Sequence, residues 1–120
     1  MIFNKLLEQC GLSQVEAAEF LGYSHSSVKK WALETRRPPE DIMLKLTNLN
    51  SQISSIAFKI ACELQRGDIK IGDYSTTTLL NKFNSLLKPT PSFDGVKEVC
   101  LARAFIIAKN GKLTKKGNTK

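Results

Sequence analysis

The 120 residues include a single histidine, one tryptophan and three cysteines, and these scarcities exclude several kinds of chemistry. His25 stands in no cluster of potential ligands, and Cys10, Cys62 and Cys100 are far apart, odd in number and never in a C-x-x-C pair. A zinc site needs several such ligands at close spacing, and a disulfide framework needs paired cysteines. Each cysteine falls in an apolar-periodic segment and is expected as a buried, reduced thiol. There is no Gly-rich phosphate loop and no histidine-paired nucleophile, so neither catalysis nor a metal or cofactor is expected. No apolar run approaches the roughly 18–20 residues that span a bilayer. The start, MIFNKLLEQC, lacks the basic region, apolar core and small-residue cleavage site of a signal peptide. A cytoplasmic location without membrane association is the expectation.

What is present is an ordinary globular composition and a net charge of +7. The length suits one domain, or a small domain with an appended unit. The positive balance favours a polyanionic partner, but its distribution is uneven. Residues 1–50 hold six Lys/Arg and six Asp/Glu, which cancel, while residues 51–120 hold twelve against five. Within the neutral half, Lys29, Lys30, Arg36 and Arg37 meet only Glu34 across residues 24–38. Segregation of charge thus predicts a basic surface on a neutral domain.

Phe3, Leu6, Leu7 and Cys10 mark a first amphipathic helix ending at Gly11. Ser13 with Glu16 is a capping box, and Val15, Ala18 and Leu21 predict the inward stripe of a second helix that stops at Gly22. Ser24 caps a third helix over 25–32, whose buried side carries Val28, Trp31 and Ala32. Its other face presents His25, Ser26, Lys29 and Lys30 at spacings that stack them on one surface. A short helix that buries its apolar side and offers polar and basic groups outward fits a DNA major groove. Trp31 is expected in the core with its indole N–H bonded locally, and Tyr23 as a packing residue.

Pro38-Pro39 breaks the chain, and Glu40 and Asp41 suit the positive end of a following helix. Ile42, Leu46, Leu49, Ile53, Ile56 and Ile60 then form a heptad stripe. It belongs to one helix reaching about Gln65, or to two broken near 48–51. The stripe packs on its own domain, or Ile53, Ile56 and Ile60 are shared across a dimer interface; spacing alone admits both. Ile69 and Ile71 alternate with polar residues as in a short strand. Ser75 or Thr76 caps a helix over 77–87, and Asp94 caps a final helix through Val96, Val99, Cys100, Arg103 and Ile107. Asn110-Gly111 also has the form of a hairpin turn, so a short strand pair is the alternative at that end.

The string Gly11-Leu12-Ser13-Gln14, Ala17-Ala18, Leu21-Gly22-Tyr23-Ser24, Ser27-Val28, Trp31, Arg36 and Pro38 resembles the Xre (Cro/repressor) helix-turn-helix family without a gap. The resemblance runs from about Leu6 to Leu46. It implies a four- or five-helix bundle that binds operator DNA as a homodimer. Carried onto the matching positions, it implies base contacts from His25, Ser26, Lys29 and Lys30. Phosphate contacts are implied for Gln14, Ser24, Ser27, Arg36 and Arg37, the two arginines gripping the backbone or entering the minor groove.

The expected fold is therefore mainly α, in three parts. Residues 1–50 are the helix-turn-helix domain, 51–108 a smaller helical unit suited to dimerisation, and 109–120 a basic tail. This layout, with W-x4-R-x-P-P-E-D at Trp31–Asp41, is similar to the autoregulators of anti-CRISPR operons, which implies a repressor associated with phage or mobile elements. The alternative is an antitoxin-like or protein-interaction module whose C-terminal half binds a partner protein. An RNA reader is disfavoured, because the exposed aromatic interleaving of single-strand binders is missing.

Overall fold

In the computed structural model, residues 2–66 and 75–110 are described, and within them the protein is helical. The elements are α1 (Ile2–Cys10), α2 (Gln14–Leu21), α3 (His25–Ala32), α4 (Glu40–Arg66), α5 (Thr76–Lys82), α6 (Asn84–Leu87) and α7 (Asp94–Asn110). No strand occurs among the described residues. The segment proposed as one arm of a hairpin continues α7 to Asn110, while Ile69, Ile71 and the residues after Asn110 lie outside the described part.

The first three helices start and stop where local chemistry directs. Gly11 adopts φ 74°, and the following Leu12 N–H returns to the Leu7 carbonyl, closing α1. In α2 the buried residues are Ala17, Ala18 and Leu21, whereas Val15 is 60% exposed. The expected inward position of Val15 is thus corrected. The stripe runs from Ala17 to Ala18 and centres close to Leu21, and at 3.6 residues per turn Val15 lies about 110° from that centre.

The heptad segment forms one unbroken helix of 27 residues, with Glu40 and Asp41 in its first turn as expected. Its stripe faces inward within a single chain. Ile53, Ile56 and Ile60 are 0%, 6% and 0% exposed, in the core shared with α7, which is α4's main packing partner. The shared-interface alternative for these three residues is replaced by the intrachain one. A heptad stripe has the same spacing whether its partner helix comes from its own chain or another.

The helix expected over 77–87 is divided at Phe83, between Asn81 and Asn84, residue types that compete with helical backbone bonding. Ser75 caps it, accepting from the Thr78 N–H. Asp94 is the first residue of α7 and not its cap; the Phe93 carbonyl accepts the first bonds, from Val96 and Lys97. The α7 contacts advance along α4 in one direction. Arg103 meets Asn50 and Ser54, and the Ala108 carbonyl meets Gln65, so the two helices run parallel.

The N-terminal bundle and α7 meet closely. A Cβ added at Gly95 would lie 2.2 Å from the Gly11 carbonyl oxygen, and one at Gly11 equally close to that of Gly95. One cluster of buried residues extends from Phe3 to Ala104 through both halves.

Candidate nucleic-acid interface

The presentation of α3 begins in the turn before it. The Ser13 hydroxyl accepts from the Glu16 N–H at 3.1 Å, and the Glu16 carboxylate accepts from the Ser13 N–H at 3.1 Å, which fixes the start of α2. Gly22 takes φ 79°, and the N–H groups of Gly22 and Tyr23 both donate to the Ala18 carbonyl. Ser24 then caps α3, accepting from the Ser27 N–H at 3.1 Å while donating to the Ser27 hydroxyl at 3.2 Å. The chain therefore reverses between α2 and α3 with the Gly22 and Tyr23 amides and the Ser27 amide of the first turn of α3 all paired.

Val28, Trp31 and Ala32 are buried and hold α3 against the bundle. Trp31 sits between two other rings, edge-on to Phe3 at 5.7 Å and to Tyr23 at 5.1 Å. Its indole N–H is buried without a hydrogen-bond partner among the described residues, contrary to the local bond expected for it. From α1, the Asn4 side chain donates to the Ala32 carbonyl at 2.9 Å and pins the end of α3. Beyond Ala32, the Glu34 and Thr35 N–H groups return to the Trp31 and Lys30 carbonyls. Glu34 occupies the left-handed region at φ 64°. This is a Schellman stop made without glycine.

The opposite face of α3 carries His25, Ser26, Lys29 and Lys30, all exposed. At 3.6 residues per turn they fall within an arc of about 140°. Arg36 and Arg37 are exposed in the segment that follows. None of these four cations has an ion-pair partner among the described residues, where the ion pairs are Lys5–Glu8 and Arg66–Glu63. Gln14 is half-exposed at the first position of α2, and Ser27 is half-buried beside the Ser24 cap. Ile53, Ile56 and Ile60 are separate from this face and buried on α4.

Two residues important to this arrangement carry no signal in the sequence. Asn4 acts on a carbonyl 28 positions away. Arg103 on α7 donates to the Gln9 carbonyl, to Asn50 at 2.6 Å and to Ser54 at 2.9 Å, tying α1 to α4. Among the described residues no group of three His, Cys, Asp or Glu side chains is placed to hold a metal ion. No described helix is long and apolar enough to cross a membrane.

The helix-turn-helix family model HTH_3 matches residues 4–49, which contain α1 to α3 and the first part of α4. Searches of the curated proteins and of the solved structures each give no match.

Proposed function

With residues 4–49 a helix-turn-helix domain of the Xre/Cro family, a DNA-binding fold, we propose that this protein is a sequence-specific transcriptional regulator. It acts as a repressor of its own operon and binds an inverted-repeat operator as a homodimer. The observation that carries the reading is the two-sidedness of α3, with Val28, Trp31 and Ala32 in the core and His25, Ser26, Lys29 and Lys30 outward.

In this reading the interface divides by energetic role. Gln14, Ser24, Ser27, Arg36 and Arg37 hold phosphates, which set orientation and much of the affinity but carry no sequence information. Ser24 acts on the phosphate through Ser27: its hydroxyl is engaged at both ends by Ser27, so the Ser27 hydroxyl proton is the one directed to phosphate. His25, Ser26, Lys29 and Lys30 meet base edges; lysine donates to guanine O6 and N7, and serine is less selective. Two copies place their recognition helices about 34–36 Å apart, in successive major grooves. Repression follows from occupancy that excludes polymerase and requires no chemistry.

Selection of bound duplexes from a random DNA pool tests this. The expected outcome is a single enriched inverted repeat with half-sites one helical turn apart. Recovery of no common sequence would contradict the reading.

A further inference from the structure

Helix α7 carries apolar residues on both sides. Val96, Cys100 and Ala104 are buried in the core, while Ala102 and Ile106 point away from it and are exposed, Ile106 by 62%. A helix that covers a core with one stripe ordinarily has a polar opposite face. Here the outward stripe joins Leu79 of α5 in an open, mainly apolar groove of about 490 Å³.

The groove residues contributed by α7 are Glu98, Leu101, Ala102, Phe105, Ile106 and Lys109. The accessible ones pair about a point between Arg103 and Ala104, Glu98 with Lys109 and Ala102 with Phe105, and Ile106 falls level with Leu101, which is itself 5% exposed and forms the floor of the groove. In two antiparallel helices related by a twofold axis at that point, residues of each pair stand level across the interface. The carboxylate of one chain then faces the ammonium of the other at both ends, with apolar contacts between them. Glu98 and Lys109 are exposed and have no ion-pair partner among the described residues.

We infer that this groove is where two copies of the chain associate, through an antiparallel, isologous α7–α7 contact whose register is set by Glu98 against Lys109. The inference rests on the reading of the protein as a dimeric operator binder and supplies the dimer face that Ile53, Ile56 and Ile60 do not. The apolar centre provides the driving force, and the end charges select partner and register. A parallel arrangement would set Glu98 beside Glu98 and Lys109 beside Lys109, which like-charge repulsion disfavours.

The test is sedimentation equilibrium of the full chain without DNA, at micromolar concentration. Wild type is expected at about twice the 13.4 kDa chain mass. Glu98→Lys and Lys109→Glu should each weaken the dimer roughly tenfold, because each places like charges together at both ends. Combining them exchanges both signs and should return the affinity to within about threefold of wild type. Ile106→Asp should abolish the dimer, with circular dichroism confirming that the helices persist. A monomeric wild type, single reversals without effect, or a double variant as weak as the singles would each overturn the inference. DNA selection by a wild-type monomer would overturn this face and leave sequence recognition standing. A dimer with the expected variant pattern that selects no DNA would support the face and overturn the operator reading.

Discussion

Arg103 is a cation held entirely by neutral acceptors: Gln9, Asn50 and Ser54 take its guanidinium hydrogens from two other helices. A fork of fixed N–H donors can reach all three, whereas a lysine ammonium on a flexible stem cannot. Arg103→Ala should cost about 2 kcal/mol, the range for hydrogen bonds to a charged group. Arg103→Lys should recover less than half of that, read as urea midpoints. The same guanidinium lies near two buried thiols. Burial pushes Cys10 and Cys100 up to about 11, against an opposing pull from Arg103. The folded state therefore holds these protons more tightly than the unfolded state. This contribution is complete below the ordinary value of 9.0 and is lost as pH rises through about 11. The urea midpoint should fall over that window, and fall less in Cys10→Ala and Cys100→Ala. At neutral pH a thiol reagent should label half-buried Cys62 before either of the others. Residue roles that depend on near neighbours were legible in the sequence; the Ser13, Gly22 and Ser24 caps and the outward face of α3 are cases. The roles of Asn4 and Arg103 were not, because their partners are brought near only by the completed fold.

Among the elements, α4 and α7 differ in how openly the sequence declares them. The stripe from Ile42 to Ile60 marks a helix by spacing, yet spacing cannot say which chain supplies the facing helix; burial on α7 decides it. Helix α7 shows no single stripe because both its sides are apolar, and the hairpin signal at Asn110-Gly111 competes with it locally. Tertiary packing on α4 overrides that signal. The division at Phe83 has the opposite origin, since weak local helix preference around Asn81 and Asn84 interrupts a segment whose apolar spacing reads as continuous. The contact between Gly11 and Gly95 leaves no room for a side chain. Gly95→Ala should force α1 and α7 apart and cost about 1–3 kcal/mol, as overpacking does. Gly22→Ala meets no atom within 4 Å and bears only the cost of φ 79°, about 1–2 kcal/mol. Thermal melts of the two variants, with a crystal structure of Gly95→Ala, separate collision from backbone strain. A shift of α7 is expected in Gly95→Ala only.

For the whole molecule, the charge count and the candidate DNA surface point to different places. Most excess positive charge lies beyond residue 50, while Lys29, Lys30, Arg36 and Arg37 stand on a half whose charges cancel. In the proposed reading Arg36 and Arg37 are the two cations set on phosphates, which predicts a slope of log affinity against log salt of roughly −2 per bound chain. A flat dependence would point to a protein partner instead. The unbroken α4, the single core and the Arg103 links join the helix-turn-helix to α7, so α3 and the proposed dimer face are held in one body. Whether the outward face of α3 reads bases decides the function of the molecule. The most direct measurement is fluorescence anisotropy of wild type and the Ser26→Ala/Lys29→Ala double variant on the selected duplex and on a shuffled one, at one salt concentration. Wild type should prefer the selected duplex by about a thousandfold or more. The double variant should lose most of that preference while its melting temperature stays within about a degree, since both side chains are exposed. An unchanged preference in the double variant would contradict the account.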